Sequence, residues 1–147
     1  RLSRMPDGPA GQVLTGQGTG ADPAWRTLQA KALLKFFHTV EYGKTRRFDD
    51  SYSSNPTDAR YPMPACVVAN LRVYVMFNNL DESTTVVVEK NGVDTIIAVT
   101  IPAGTTGSFV STNSVSFDAG NILAVKVAAG GTTGVITIGA TLEVLFT

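Results

Sequence analysis

Period-two alternation dominates the second half of the chain. In residues 65–78, Leu71, Val73, Val75 and Phe77 fall on one side of an extended backbone and Arg72, Tyr74 and Met76 on the other, which is the spacing of a β-strand. Thr84–Lys90 and Val93–Ile101 flank Asn91-Gly92. Both turn residues tolerate positive φ, so the pair predicts a hairpin closed by a type I′ turn. Residues 102–107 turn the chain again. Residues 109–117, 122–128 and Val135–Phe146 give three further strands, separated by Asp118-Ala119-Gly120-Asn121 and Gly130-Gly131-Thr132-Thr133-Gly134. The aromatic-rich residues 33–42 read as a strand as well. Seven or eight strands at this spacing predict an all-β fold, an antiparallel jelly-roll sandwich.

Several of these strands are apolar on both faces, notably Val86-Val87-Val88 and Ile96-Ile97-Ala98-Val99. One face of an antiparallel sheet normally meets water, so a two-sided strand needs a second cover. A thick core supplies one explanation and a subunit seam, most simply threefold, the other. Val86, Val88, Ile97, Val99, Val125, Val127, Leu142, Val144 and Phe146 are the expected core or seam residues, with the choice between the two left open.

The first 24 residues differ in kind. Gly8, Gly11, Gly16, Gly18 and Gly20 alternate with Pro6, Pro9 and Pro23, and such a stretch buries too little to offset its own ordering entropy. Residues 1–24 are therefore expected to be an extended arm that attaches elsewhere, and 25–147 the domain. Asp22 and Pro23 could cap and open a short helix carrying Trp25, Leu28 and Ala32 at helical spacing, with Trp25 anchoring the arm on the domain. Residues 44–64 read as a long polar loop, a kind that is often functional.

Composition narrows the function. Charged residues are 16% of the chain, below the usual ~25%, and charge depletion favours interface cores. Val, Ile and Thr together are 41 of 147 residues, as suits pleated surfaces. Net charge is zero overall, +3 over residues 1–69 and −3 over 70–147. That removes the simplest case for a nucleic-acid or anionic-membrane partner. A single Cys excludes an internal disulfide framework and a multi-Cys metal site. No apolar run approaches the ~18 residues of a membrane span. The chain does not begin with Met, so it is expected to be processed, trimmed or a fragment.

Candidate chemistry is sparse. Gly16-Gln17-Gly18-Thr19-Gly20-Ala21 fits a G-x-G-x-x-A spacing, but no βαβ pattern surrounds it. His38 is the only His, so a Ser-His-Asp relay or a multi-His metal site would rest on it alone. It lies inside a predicted strand. Cys66 precedes Val67-Val68 and reads as a small buried hydrophobe. Asp49, Asp50 and Asp58 beside Asn55 could offer oxygen ligands to a cation, with no EF-hand spacing; pairing with Arg46, Arg47 and Arg60 is the plainer use. Asp81-Glu82 reads as a plain turn. No catalytic set, cofactor or metal site is expected. Tyr52 and Tyr61, with Arg46, Arg47 and Arg60, are the expected contacts if the polar loop meets a ligand.

Two sets of residues carry a family resemblance. Residues 11–25, Gly-Gln-Val-Leu-Thr-Gly-Gln-Gly-Thr-Gly-Ala-Asp-Pro-Ala-Trp, resemble a segment of fibre, head-fibre and decoration proteins of tailed bacteriophages that joins an anchoring region to a globular domain. Met63-Pro64-Ala65, Asn70–Val75, Val88–Val93, Val115–Asn121 and the closing Leu142–Phe146 are similar to trimeric jelly-roll domains of the tumour-necrosis-factor and complement-head type, frequent in phage virions. Members often carry Gly-Asp where this chain has Gly120-Asn121. The resemblance implies a non-enzymatic protein on the virion surface that forms a homotrimer and attaches through residues 1–24 to another virion protein. An alternative is a tail-fibre tip that binds a host glycan or surface protein.

Overall fold

A computed structural model of the chain describes residues 10, 12–15, 24–27, 30–47 and 60–147; of Thr15, Trp25, Arg26 and Thr27 only the backbone is described. Backbone contacts divide the chain into two units, Arg1–Ala30 and Lys31–Thr147. In the first, β1 (Gln12–Thr15) pairs antiparallel with β2 (Ala24–Thr27), Leu14 opposite Trp25. The helix expected after Asp22-Pro23 does not form over these residues. One or two isolated turns of helix are marginal in water, whereas Ala24–Thr27 gains a ladder with β1. Ala32 belongs to another strand altogether. The side chain of Trp25, expected to anchor the arm, lies outside the described residues.

The second unit contains β3 (Lys31–Glu41), β4 (Thr45–Arg47), β5 (Tyr61–Pro62), β6 (Cys66–Asn78), β7 (Thr84–Lys90), β8 (Val93–Ile101), β9 (Gly107–Phe117), β10 (Ile122–Ala129) and β11 (Val135–Phe146). They form two antiparallel sheets, one in the order β3-β11-β6-β9 and one in the order β4-β10-β7-β8, with β5 beside β4 on the same flank of β10. Apart from β4–β5 and β7–β8, consecutive strands of this unit alternate between the sheets, in the manner of two interlocked Greek keys, a jelly roll. Both ends of the expected loop at 44–64 are therefore strand, because β10 would otherwise leave its outer ladder unpaired.

Inward side chains of both sheets close one core. Phe36 and Val40 of β3, Leu71, Val73 and Val75 of β6, and Ile136, Ile138, Leu142 and Val144 of β11 meet Val86 and Val88, Ile97 and Val99, and Val125 and Val127 of the facing sheet. Of the nine residues expected at core or seam, eight are therefore buried within a single chain, and Phe146 is 37% exposed. Of the two-sided segments, Val87 is 4% exposed even on its outer side while Ile96 is 66% exposed.

Asn91 and Gly92 take positive φ, +53° and +79°, and close the β7–β8 hairpin as expected. Two irregularities in β6 were not legible in the pattern. Phe77 stands opposite Thr137 but Val75 opposite Ile138, so Met76 is an extra residue in the ladder. This bulge reverses the phase: Phe77, expected in the core, is 50% exposed, and Asn78 is buried instead. The Asn78 amide donates to the carbonyls of Pro102 and Thr105 at 3.3 and 3.0 Å, and its oxygen accepts from Leu80 N at 3.1 Å. At the other end, Asn70 adopts φ +54° at a second register shift.

Candidate binding face

The outward side of the β3-β11-β6-β9 sheet departs most from what water favours. Leu33 and Phe37 of β3, Tyr74, Met76 and Phe77 of β6 and Val110 of β9 are each about half exposed. Cross-strand register lines them up. Gly139 of β11 stands between Phe37 and Tyr74, and Tyr74 stands opposite Ser108; one pleat along, Thr141 stands between Lys35 and Arg72, and Arg72 opposite Val110. With Gly139 and threonines at outward positions on β11, the face is two ridges of large side chains on β3 and β6 with a valley between. A trough of about 390 Å³ runs across the face from β3 to β9, lined by Lys35, Arg72, Tyr74, Val110, Gly139 and Thr141 among others; of the exposed apolar set only Tyr74 and Val110 line it.

Charge on this face is mostly committed. The Glu143 carboxylate accepts from Asn70 Nδ2 at 2.7 Å and from Arg72 Nη1 at 3.4 Å. The Asn70 hydrogen bond, with the charges of Lys31 and Arg72, holds that carboxyl below its ordinary range. Among the described residues Lys35 makes no ion pair. Thr39 and Thr137 share a hydroxyl hydrogen bond of 2.9 Å.

The opposite sheet carries an ion network. Glu89 is 2% exposed, accepts from Arg47 Nε at 2.6 Å and Nη2 at 3.1 Å, and lies 3.3 Å from Lys126 Nζ, which itself lies 2.5 Å from Asp94. The Arg47 hydrogen bond holds the Glu89 carboxyl below its usual range, and Asp94 pushes the Lys126 ammonium up.

Only some of the residues singled out from sequence fall among the described residues. Tyr52, Asp49, Asp50 and Asp58 lie outside the described residues, as does the 16–21 glycine run. Tyr61 packs partly buried against the core, beside a cleft of about 290 Å³ formed with Leu33, Leu34, Lys35 and Phe36. Arg47 is engaged by Glu89, Arg46 is half-buried, and Arg60 is exposed. His38 is half-buried, its pKa lowered by burial and then by Arg46. Cys66 is buried and burial pushes its thiol up, away from the reactive thiolate. Asp81 is more than a turn residue: its carboxylate accepts from Thr132 N, Thr132 Oγ1 and Thr133 N at 2.8–3.2 Å, clamping the β10–β11 loop. Among the described residues no three His, Cys, Asp or Glu gather as metal ligands, and no helix is long and apolar enough to cross a membrane.

The apolar face was only partly signalled in sequence. Arg72-x-Tyr74-x-Met76, on what alternation makes the solvent side of β6, is large and mostly apolar, and the glycine inside the β-branched run of β11 stands beside the register shift between Thr137 and Ile138.

No protein-family model matches the chain, and no curated protein matches it. Solved structures similar to it include dimeric latent PorU from Porphyromonas gingivalis, at 9% identity over 80% of this chain with a TM-score of 0.45. This chain spans only 13% of that one. The CBM36-1 domain of a multidomain xylanase from the hindgut metagenome of Trinervitermes trinervoides is similar at 8% identity, with 78% of this chain and 96% of that one covered and a TM-score of 0.45. Likeness at this level concerns the β-rich fold alone.

Proposed function

We propose that the chain is a non-enzymatic structural component of a tailed-phage particle. Its jelly-roll unit assembles with two further copies through the outer face of the β3-β11-β6-β9 sheet, and its first 24 residues attach to another virion protein. The observation that supports this reading is the half-exposed apolar set Leu33, Phe37, Tyr74, Met76, Phe77 and Val110 on one sheet face. At half exposure these six side chains present on the order of 500 Å² to solvent, near the upper end for a monomer's largest apolar patch. A stable seam covers roughly 800 Å² per partner, and this patch suits the centre of one. The apolar residues run across the sheet from its β3 edge to its β9 edge, which gives two different flanks, as a closed ring of head-to-tail contacts needs.

The test is solution mass by light scattering. The 147-residue chain is expected at three times 15.5 kDa, and Phe37→Asp combined with Tyr74→Asp at 15.5 kDa with its β-sheet circular dichroism intact. A wild-type chain that stays at 15.5 kDa at high concentration refutes the assembly.

A second reading, host-glycan binding, draws on the trough. Tyr74 offers a ring face, and Lys35, Arg72, Thr141 and Ser108 offer donors beside it. Glycan-array binding by a monomeric chain, lost on Tyr74→Ala, would favour this reading over the first.

A further inference from the structure

Resting on the glycan-binding reading above, we propose that the trough across the β3-β11-β6-β9 sheet takes a carboxylate-bearing sugar of an acidic glycan. Its carboxylate sits between Lys35 and Arg72, and its ring lies on Tyr74. Register sets Lys35, Thr141, Arg72 and Val110 in one row across the four strands, with Tyr74 and Ser108 in the next row, and all six line the trough. Elsewhere cations are matched from within the chain. Lys44 lies by Glu41, Arg47 and Lys126 share Glu89, and Lys90 donates to the Ser116 carbonyl and covers the Phe117 ring. Lys35 has no ion pair among the described residues. Arg72 makes a single 3.4 Å contact with Glu143, whose nearer partner is Asn70 Nδ2 at 2.7 Å, and its side chain is 57% exposed. Most of its donors are left for a ligand. The trough is thus a place of uncompensated positive charge in a chain whose net charge is zero.

The ligand class follows from what the trough offers together. An uncharged apolar occupant would take water from both cations and return nothing. A bare inorganic anion would pair them and leave Tyr74 and Val110 unused. The occupant therefore joins an anion to an apolar face on one small body. A pyranose carrying a carboxylate has both. The C–H groups on one side of its ring meet the negative face of the Tyr74 ring, and its hydroxyls exchange hydrogen bonds with Thr141 and Ser108. The planar carboxylate matches the guanidinium fork of Arg72, with Lys35 as a point charge on the other side. A nucleotide also joins an anion to a flat ring, but single strands bind by stacking successive bases on several aromatics. Here Tyr74 alone of the described aromatics offers a ring, since Phe36 at the trough wall points into the core. A volume of about 390 Å³ falls within the roughly 300–1,000 Å³ of small-ligand sites.

The test is an oligosaccharide array holding uronate and sialate members, the methyl esters of those same members and neutral sugars, probed with the 147-residue chain. Binding is expected to the acidic members and to be lost on esterification, which removes the charge and keeps the ring. Raised salt weakens it. Lys35→Ala and Arg72→Ala are each expected to weaken it about tenfold or more with the β-sheet spectrum intact, while Lys44→Ala leaves it unchanged. Should Arg72→Ala fail to fold, Lys35→Ala decides, because Lys35 holds no ion pair that its loss would break. Equal binding of acids and esters overturns the acidic ligand while the glycan reading stands. A single-stranded oligonucleotide held more tightly than any acidic sugar, and lost with the same two variants, overturns the sugar. No binding to any member overturns both this inference and the glycan reading, and leaves the assembly reading untouched.

Discussion

Glu89 illustrates what one buried carboxylate does in this fold. Arg47 lies on β4, Lys126 on β10, Glu89 on β7 and Asp94 on β8, so the network crosses the whole five-stranded sheet, one residue per main strand. The Glu89 carboxyl is held below its ordinary value by Arg47. A depressed acid contributes its stability above the unfolded pKa, ~4.3 for Glu, and loses it as pH falls through the folded value. Lys126 is raised, so its contribution is full below the ordinary ~10.4 and is lost as pH rises through the folded value. Stability from this network is thus flat from about pH 5 to about pH 10 and falls on both sides. Glu89→Gln, which leaves two partly buried cations short of a carboxylate, is expected to cost about 2 kcal/mol at pH 7. Urea titrations at pH 7 and pH 4 check this, and the variant's deficit should shrink at the lower pH.

At the scale of elements, turns separate into those shaped by backbone conformation alone and those shaped by neighbours. Gly92 holds φ +79° with nothing within 4 Å of a would-be Cβ, whereas Gly131 holds φ +91° with its Cβ position on the Asp81 carboxylate. Gly92→Ala is expected to cost about 1 kcal/mol from the left-handed conformation. Gly131→Ala should cost about 2 kcal/mol or more, since the Asp81 clamp must shift as well. The urea midpoint reports both, with an unchanged slope showing that the denatured state is unaffected. The strands β6 to β11 were legible within a residue or two because alternation and the Asn-Gly, Asp-Ala-Gly-Asn and Gly-Gly punctuation agree. β4 and β5 were not, since two or three residues carry no period, and the strand at 24–27 was masked by a plausible capping pattern. Nor does any residue pattern announce the bulge at Met76, which is set by the ladder to β11 and sends Phe77 outward.

For the molecule as a whole, the core closes within Lys31–Thr147. A chain beginning at Lys31 is therefore expected to fold cooperatively and to keep the oligomeric mass of the full chain. Calorimetry and light scattering on that truncation decide the matter, and a truncated chain that unfolds would place part of the stability in residues 1–30. Eight of the nine apolar residues expected at a core or seam fill the inside of one chain, and the largest run of exposed apolar side chains is on the outer side of the β3-β11-β6-β9 sheet, where Phe37, Tyr74 and Phe77 stand.

Side-chain spacing and turn chemistry are local, so the residues themselves specified an antiparallel sandwich, its main strands and the Asn91-Gly92 hairpin. Which apolar side chains face the facing sheet and which face water depends on register, on a single inserted residue in β6 and on how the two sheets are paired. Those are long-range relations between segments as far apart as Phe37 and Gly139. Only the folded backbone brings Phe37, Gly139 and Tyr74 into one row, and with that row the valley exists.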